Sequence, residues 1–276
     1  MAVANDTLER IIHAALAEDI GAGDVTTEAT VAADAVGTAG LVVKEAGVVC
    51  GLRAAEATFR ALDPEIRFEA FASDGDVVEP PAVVARVEGS ERAILTGERV
   101  ALNFLGRLSG IATLTRRYVD AIDGTGVAVL DTRKTTPGLR ALEKYAVASG
   151  GGRNHRFGLD AAILIKDNHL RAAGSIAAAV ELARAASDLP IEVECDTLQQ
   201  VGDALDAGAD AILLDNMTLD ELRAAVELSA GRARLEASGG VTLDTIRAIA
   251  ETGVDEISVG ALTHSARSLD VSLELT

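Results

Sequence analysis

Six times from residue 127 onward a short apolar run ends on polar side chains: Asp131-Thr132-Arg133-Lys134, Lys166-Asp167-Asn168-His169, Glu194, Asp215-Asn216, Ser238-Gly239-Gly240, and Gly260. Taken singly each has a plain explanation, since a strand-end Asp often only caps the next helix. In succession they sort by chemistry. Arg133, Lys134, His155, Arg156 and Lys166 are suited to carboxylates, with bidentate geometry available at the arginines. Glu194 and Asp215 are hard oxygen ligands of the kind that hold Mg²⁺, directly or through water. Ser238, Gly239, Gly240 and Gly260 offer backbone N–H groups near helix starts, where a phosphate binds. A diacid, a divalent metal and a phosphorylated sugar together point to phosphoribosyl transfer.

The elements that must position these residues follow from periodicity. Runs at Val127–Asp131, Ala161–Lys166, Ile191–Cys195, Ala211–Asp215, Arg234–Ser238 and Glu256–Val259 read as strands alternating with helical stretches, the spacing a βα unit requires. A parallel α/β barrel is the natural closure, with its chemistry at the carboxyl ends of the strands. Six strands fall short of eight, so a further strand is cryptic or the barrel is open. Before residue 105 the pattern is that of a small α+β domain. It has an amphipathic helix at Asp6–Glu18, a turn-rich stretch at Asp19–Thr27 and a helix at Arg53–Leu62. Strand-like runs lie at Gly40–Lys44, Val48–Gly51, Ile66–Ala70 and Ala82–Val87. Helical spacing from Glu91 to Ile122 links the two parts, with an interruption expected near Ser109-Gly110. Domains are expected at 1–108 and 109–264, with the tail 265–276 either a last barrel helix or a return to the first domain.

Charge sharpens the reading. The 276 residues carry 43 Asp plus Glu against 25 Lys plus Arg, a net charge of −18, which makes nucleic acid and anionic membrane poor partners. Yet residues 131–171 hold eight cations against four anions, and three of only four lysines. A chain that has given up lysine nearly everywhere else keeps it here, as a pocket for an anionic small molecule requires. Acidity, scarce lysine and abundant alanine resemble the composition of proteins from salt-loving cells; an acidic protein from a GC-rich mesophile is the alternative. No apolar run approaches the ~20 residues that span a bilayer, and the acidic N-terminus is unlike a secretory signal. A cytoplasmic location is expected. Cys50 and Cys195 sit alone in apolar surroundings and read as buried free thiols.

Several stretches resemble one family closely. They are EDIGAGDVTT (Glu18–Thr27), GERVALNFLGRLSGIAT (Gly97–Thr113), DTRKTTPGLRALEKYAVASGGGRNHRFGLDAAILIKDNHL (Asp131–Leu170), EVECD (Glu192–Asp196), LLDN (Leu213–Asn216) and EASGGV (Glu236–Val241). They are similar to quinolinate phosphoribosyltransferases over nearly the whole chain. The resemblance implies an N-terminal α/β sandwich domain followed by an open, seven-stranded α/β barrel. It further implies a homodimer or higher homo-oligomer, a hexamer included, with a shared active site. By motif, Arg99 (from a neighbouring subunit), Arg133, Lys134, His155, Arg156 and Lys166 would bind the two carboxylates of quinolinate. Glu194 and Asp215 would hold Mg²⁺ and the ribose of phosphoribosyl diphosphate, while Ser238, Gly239, Gly240 and Gly260 would cradle its 5-phosphate. The implied activity is decarboxylating phosphoribosyl transfer to quinolinate in NAD biosynthesis. Lys134, His155, Lys166, Glu194 and Asp215 are the catalytic candidates, and the proton that reaches C2 comes from Lys134, His155 or a water. Three rivals stand beside it. A nicotinate phosphoribosyltransferase would need fewer cations, a Schiff-base aldolase built on Lys166 would leave the carboxylates and glycines without a role, and a non-enzymatic transport-associated relative would lack part of the cationic set.

Overall fold

The structure, a computed structural model, describes residues 3–276. In chain order the first half contains α1 (Asn5–Ile20), α2 (Val25–Thr30), β1 (Val36–Val43), β2 (Gly47–Val48), α3 (Leu52–Leu62), β3 (Arg67–Ala70), β4 (Val77–Val78), β5 (Ala82–Ser90) and α4 (Glu91–Ala121). Then come β6 (Ala128–Leu130), α5 (Arg140–Ser149), β7 (Ile163–Ile165), α6 (Asp167–Ala173), α7 (Ile176–Ala186), β8 (Ile191–Cys195) and α8 (Leu198–Asp206). The chain finishes with β9 (Ala211–Asp215), α9 (Leu219–Ser229), β10 (Arg234–Ser238), α10 (Ile246–Ala250), β11 (Glu256–Ser258), α11 (Ala261–His264) and β12 (Val271–Leu275).

Two compact units result. The first holds the chain through Arg116, with Thr135–Gly151 and Leu262–Thr276. Its antiparallel sheet runs β12-β1-β5-β3, and β12 pairs with β1 from Ala39↔Leu275 to Val43↔Val271. The tail is therefore a strand of this sheet and not a barrel helix. Leu41, Val43, Phe59, Ile94, Ala101 and Leu105 pack together as the core of the unit, joining the sheet to α3 and α4. The turn-rich stretch expected at Asp19–Thr27 closes into α2, whose first turn Asp24 caps by accepting the Thr27 N–H at 3.0 Å.

The interruption expected at Ser109-Gly110 does not occur; α4 runs unbroken for 31 residues. Both residues serve packing. Ser109 Oγ accepts from Cys50 N at 2.9 Å and donates to Cys50 O at 3.1 Å. At Gly110 a Cβ would lie 2.0 Å from the Arg267 carbonyl oxygen, so only glycine admits that backbone. Cys50 and Cys195 are free and buried, as their apolar surroundings predict.

The second unit, Arg117–Lys134 with Gly152–Ala261, is built on parallel strands in the order β6-β11-β10-β9-β8-β7. Six strands appear among the described residues where seven are expected. The seventh place is taken by one residue: Arg153 forms a parallel bridge to Leu130, donating its N–H to Val129 O at 2.8 Å. That segment is too short to count as a strand, and the end strands β6 and β7 are not paired, so the barrel is open. Alternation puts Ile191, Val193 and Cys195 on one face of β8, all fully buried, and Glu192 and Glu194 on the other. The same period places Leu213 with Asp215 on β9 and Glu236 with Ser238 on β10, in register with the β8 carboxylates.

Candidate active site

Each functional side chain stands where a parallel strand gives way to a turn. Beyond β8 and β9 the chain turns at once into a capped helix: Thr197 with Gln200 closes a capping box on α8, and Thr218 with Glu221 does so on α9. Those abrupt turns leave Glu194 and Asp215 at the mouth of the barrel. After β10, Gly239 and Gly240 take φ of +95° and +60°. A side chain at Gly239 would meet Asn216 Oδ1 at 2.1 Å, which explains the first glycine of the pair.

A cavity of 680 Å³ opens at this end of the barrel. Arg133, Lys134, His155, Arg156 and Lys166 line it together with Glu194, Asp215, Ser238, Gly239 and Gly240. Two of the expected residues do not line it. Gly260 follows β11 outside the lining, and Arg99 lies on α4 in the other unit, exposed, with its guanidinium 3.9 Å from the neighbouring Glu98 carboxylate.

Buried hydrogen bonds fix the rim and the floor. Asp131, fully buried, accepts the His155 N–H at 2.9 Å and the Asn154 amide at 2.6 Å, which ties the 153–156 segment to the end of β6. Arg156 reaches forward to donate to the Ala162 carbonyl at 2.9 Å. Its pKa is lowered by burial and by the charge of Arg133, against the opposing pull of Glu192. Lys166 pairs with Glu194 across adjacent strands. On the floor, His155 Nε2 lies 3.1 Å from Glu192 and 3.3 Å from Glu236. Burial disfavours the imidazolium, but hydrogen bonds to these two carboxylates and their charges outweigh it and raise the His155 pKa to about 10. The Arg156 N–H, which donates to Nδ1 at 2.7 Å, pulls the other way, towards the neutral Nε2–H tautomer.

The model of the "Quinolinate phosphoribosyl transferase, N-terminal domain" matches residues 24–109, and that of the "C-terminal domain" matches residues 111–274. The chain is 44% identical to the probable nicotinate-nucleotide pyrophosphorylase [carboxylating] of Bacillus subtilis, over 98% of this chain and 93% of that protein. It is 48% identical to the protein of the same name from Synechocystis, over 94% of this chain and 90% of the relative. The crystal structure of NadC from Streptococcus pyogenes superposes with a TM-score of 0.96 at 43% identity, covering 100% of this chain and 99% of that one. The chain belongs to the quinolinate phosphoribosyltransferase family.

For this family member the donor set fits a hydrated divalent ion. Glu194 and Asp215 come from neighbouring strands, face the same open cavity and offer only oxygens, and Mg²⁺ is commonly held by one or two carboxylates with the rest of its shell left to water and phosphate. Sequence reasoning missed Glu192 and Glu236. Both are buried on the lumen side, and one oxygen of each has no hydrogen-bond partner. The signal was the Glu-x-Glu spacing of Glu192 and Glu194: two residues apart in a strand means the same face.

Proposed function

We propose that this protein transfers the phosphoribosyl group of phosphoribosyl diphosphate to the ring nitrogen of quinolinate, with loss of CO₂, to give nicotinate mononucleotide and diphosphate. One observation carries the reading: Arg133, Lys134, Arg156 and Lys166 share a single cavity with Glu194, Asp215 and the Ser238-Gly239-Gly240 turn. The cations suit the two carboxylates of a pyridine diacid, and the turn offers backbone N–H groups to the 5-phosphate. Glu194 and Asp215 would hold Mg²⁺, which supplies charge neutralisation at the leaving diphosphate.

Held by the cations, the pyridine nitrogen attacks C1 of the ribose as the C1–O bond to diphosphate breaks. Orientation and fixed charge do the catalytic work, and no protein nucleophile is needed. When the C2–carboxylate bond breaks and CO₂ leaves, the electron pair stays on C2, stabilised by the positive charge of the adjacent pyridinium nitrogen, and a proton completes C2. Arg99 would reach the cavity of a second copy in a homodimer or higher oligomer. The overall acidity supports a cytoplasm of high salt as the working environment.

A nicotinate phosphoribosyltransferase would handle one carboxylate, for which four cations around one cavity are more than the charge requires. A Schiff-base role for Lys166 leaves the glycine turn and Asp215 idle. The deciding experiment is an assay of the purified protein with quinolinate, phosphoribosyl diphosphate and Mg²⁺. CO₂ and diphosphate are expected in equal amounts; turnover of nicotinate with none of quinolinate would overturn the proposal.

A further inference from the structure

On the edge of β6 away from β11, the hydrogen-bond ladder passes from main chain to side chain. Arg153 donates its N–H to Val129 O at 2.8 Å and accepts the Asp131 N–H at 3.1 Å, as a neighbouring parallel strand does. A seventh strand would carry that ladder on through its next residues. Here the Asp131 carboxylate carries it on instead: Oδ1 accepts the His155 N–H at 2.9 Å and Oδ2 the Asn154 amide at 2.6 Å. Asp131 is fully buried and does not line the cavity, whose wall begins at Thr132.

Leaving the ladder has a chemical consequence. Successive side chains of a strand point to opposite faces, so a regular strand through 153–156 would turn either His155 or Arg156 away from the cavity. Both line it. A segment released from a ladder needs another anchor, because a binding group displaced by about 1 Å can cost about a hundredfold in rate. A main-chain N–H buried without an acceptor is also destabilising. One buried carboxylate answers both needs, since hydrogen bonds to a charged acceptor are short and strong.

We propose that Asp131 is a positioning residue for the diacid: it holds the 154–156 backbone where the ladder ends, so that His155 and Arg156 meet the substrate carboxylates together. The inference rests on quinolinate being that substrate. The unpaired edges of β6 and β7 then have a function, because they let two consecutive residues face one ligand.

The test reverses one hydrogen bond. Asn154→Asp sets two carboxylates against each other and should raise KM for quinolinate about a hundredfold. Asp131→Asn alone should raise it only about threefold, because Asn154 can turn its amide oxygen towards the new Nδ2. Together the two substitutions place a donor opposite a carboxylate again, with the direction reversed, and leave an oxygen for the His155 N–H. The double variant should recover at least about tenfold of the Asn154→Asp loss. Glu194, Asp215 and Ser238 stand on β8, β9 and β10. KM for phosphoribosyl diphosphate and calorimetric affinity for ribose 5-phosphate should therefore stay within about twofold of wild type throughout. A merely structural role moves both substrates together; that outcome, or no recovery in the double variant, overturns the proposal. Should Asn154→Asp not fold, Asn154→Ala decides. It keeps the His155 bond and should raise KM for quinolinate about fivefold with kcat held, and an unchanged KM overturns the proposal. Wild-type protein that neither binds nor turns over quinolinate sinks the substrate reading and this inference with it. Active wild type without recovery in the double variant sinks this inference alone.

Discussion

The ammonium of Lys166 on the turn after β7 rests against Oε2 of Glu194 on β8. The cation suited to a substrate carboxylate and the carboxylate suited to Mg²⁺ neutralise one another across two adjacent strands, so each ligand must compete with the other's protein partner. Glu194→Gln should therefore lower turnover by two orders of magnitude or more, as loss of a transition-state charge contact does. Quinolinate affinity in the absence of Mg²⁺ should hold or improve, because Lys166 is released. Calorimetry beside steady-state rates checks this; weaker quinolinate binding in the variant counts against it.

The pH dependence of stability follows from His155. Its folded-state pKa is raised to about 10 from an ordinary 6.5, so the stabilisation it draws from Glu192 and Glu236 is complete below about 6.5 and is lost as pH rises through about 10. Denaturant unfolding of wild type and His155→Asn at several pH values reads the gap between them. The gap should be widest in mild acid and shrink towards pH 10. A gap that grows with pH is the contrary result.

Arg107 donates to Glu143 from Nε at 3.2 Å and Nη2 at 2.8 Å, and Glu143 also accepts from Thr136 N at 2.9 Å and Thr136 Oγ1 at 2.8 Å. Glu143 is fully buried. Arg107→Ala removes the guanidinium paired with that carboxylate, leaving it only the Thr136 contacts, and should destabilise the protein by about 3 kcal/mol, the lower part of the range for breaking a buried pair because Arg107 is partly exposed. Arg107→Ala with Glu143→Gln should lose less than the single variant, which a thermal or denaturant midpoint will show.

How much was legible beforehand divides along physical lines. Glu194, Asp215 and Ser238 were readable because an apolar run ending on a polar residue marks a strand end, and strand ends in such barrels face one mouth. Gly110 misled, since helix propensity cannot see the Arg267 carbonyl that packs against it. Arg153 hid the seventh strand place because a one-residue bridge has no periodicity to detect. Glu236 was hidden too: a lone carboxylate inside Arg234–Ser238 reads as solvated until the open barrel buries it.

Arg99 is exposed on α4, and by the shared-site proposal its guanidinium completes the cavity of a second copy. Arg99→Ala and Lys134→Ala should each be inactive alone. Mixed after confirmed subunit exchange, they should regain part of the wild-type rate, because hybrids carry one intact site; no recovery would speak against a shared site.

Salt should act on stability and on substrate binding in opposite senses. With a net charge of −18 the folded chain repels itself, and the Debye length falls from about 10 Å at 0.1 M salt to about 3 Å at 1 M. The compact state gains most from that screening, so Tm should climb with KCl. Exposed ion pairs such as Arg67–Glu88, at 3.8 Å, contribute little at any salt and do not change the direction. The cavity cations lose attraction for a diacid under the same screening, although bidentate contacts away from bulk water lose less. KM for quinolinate should therefore rise modestly while Tm rises steadily from dilute buffer to multimolar KCl. Measuring both on one preparation separates the two effects: a Tm highest in dilute buffer would defeat the salt-adapted reading and leave the proposed reaction untouched.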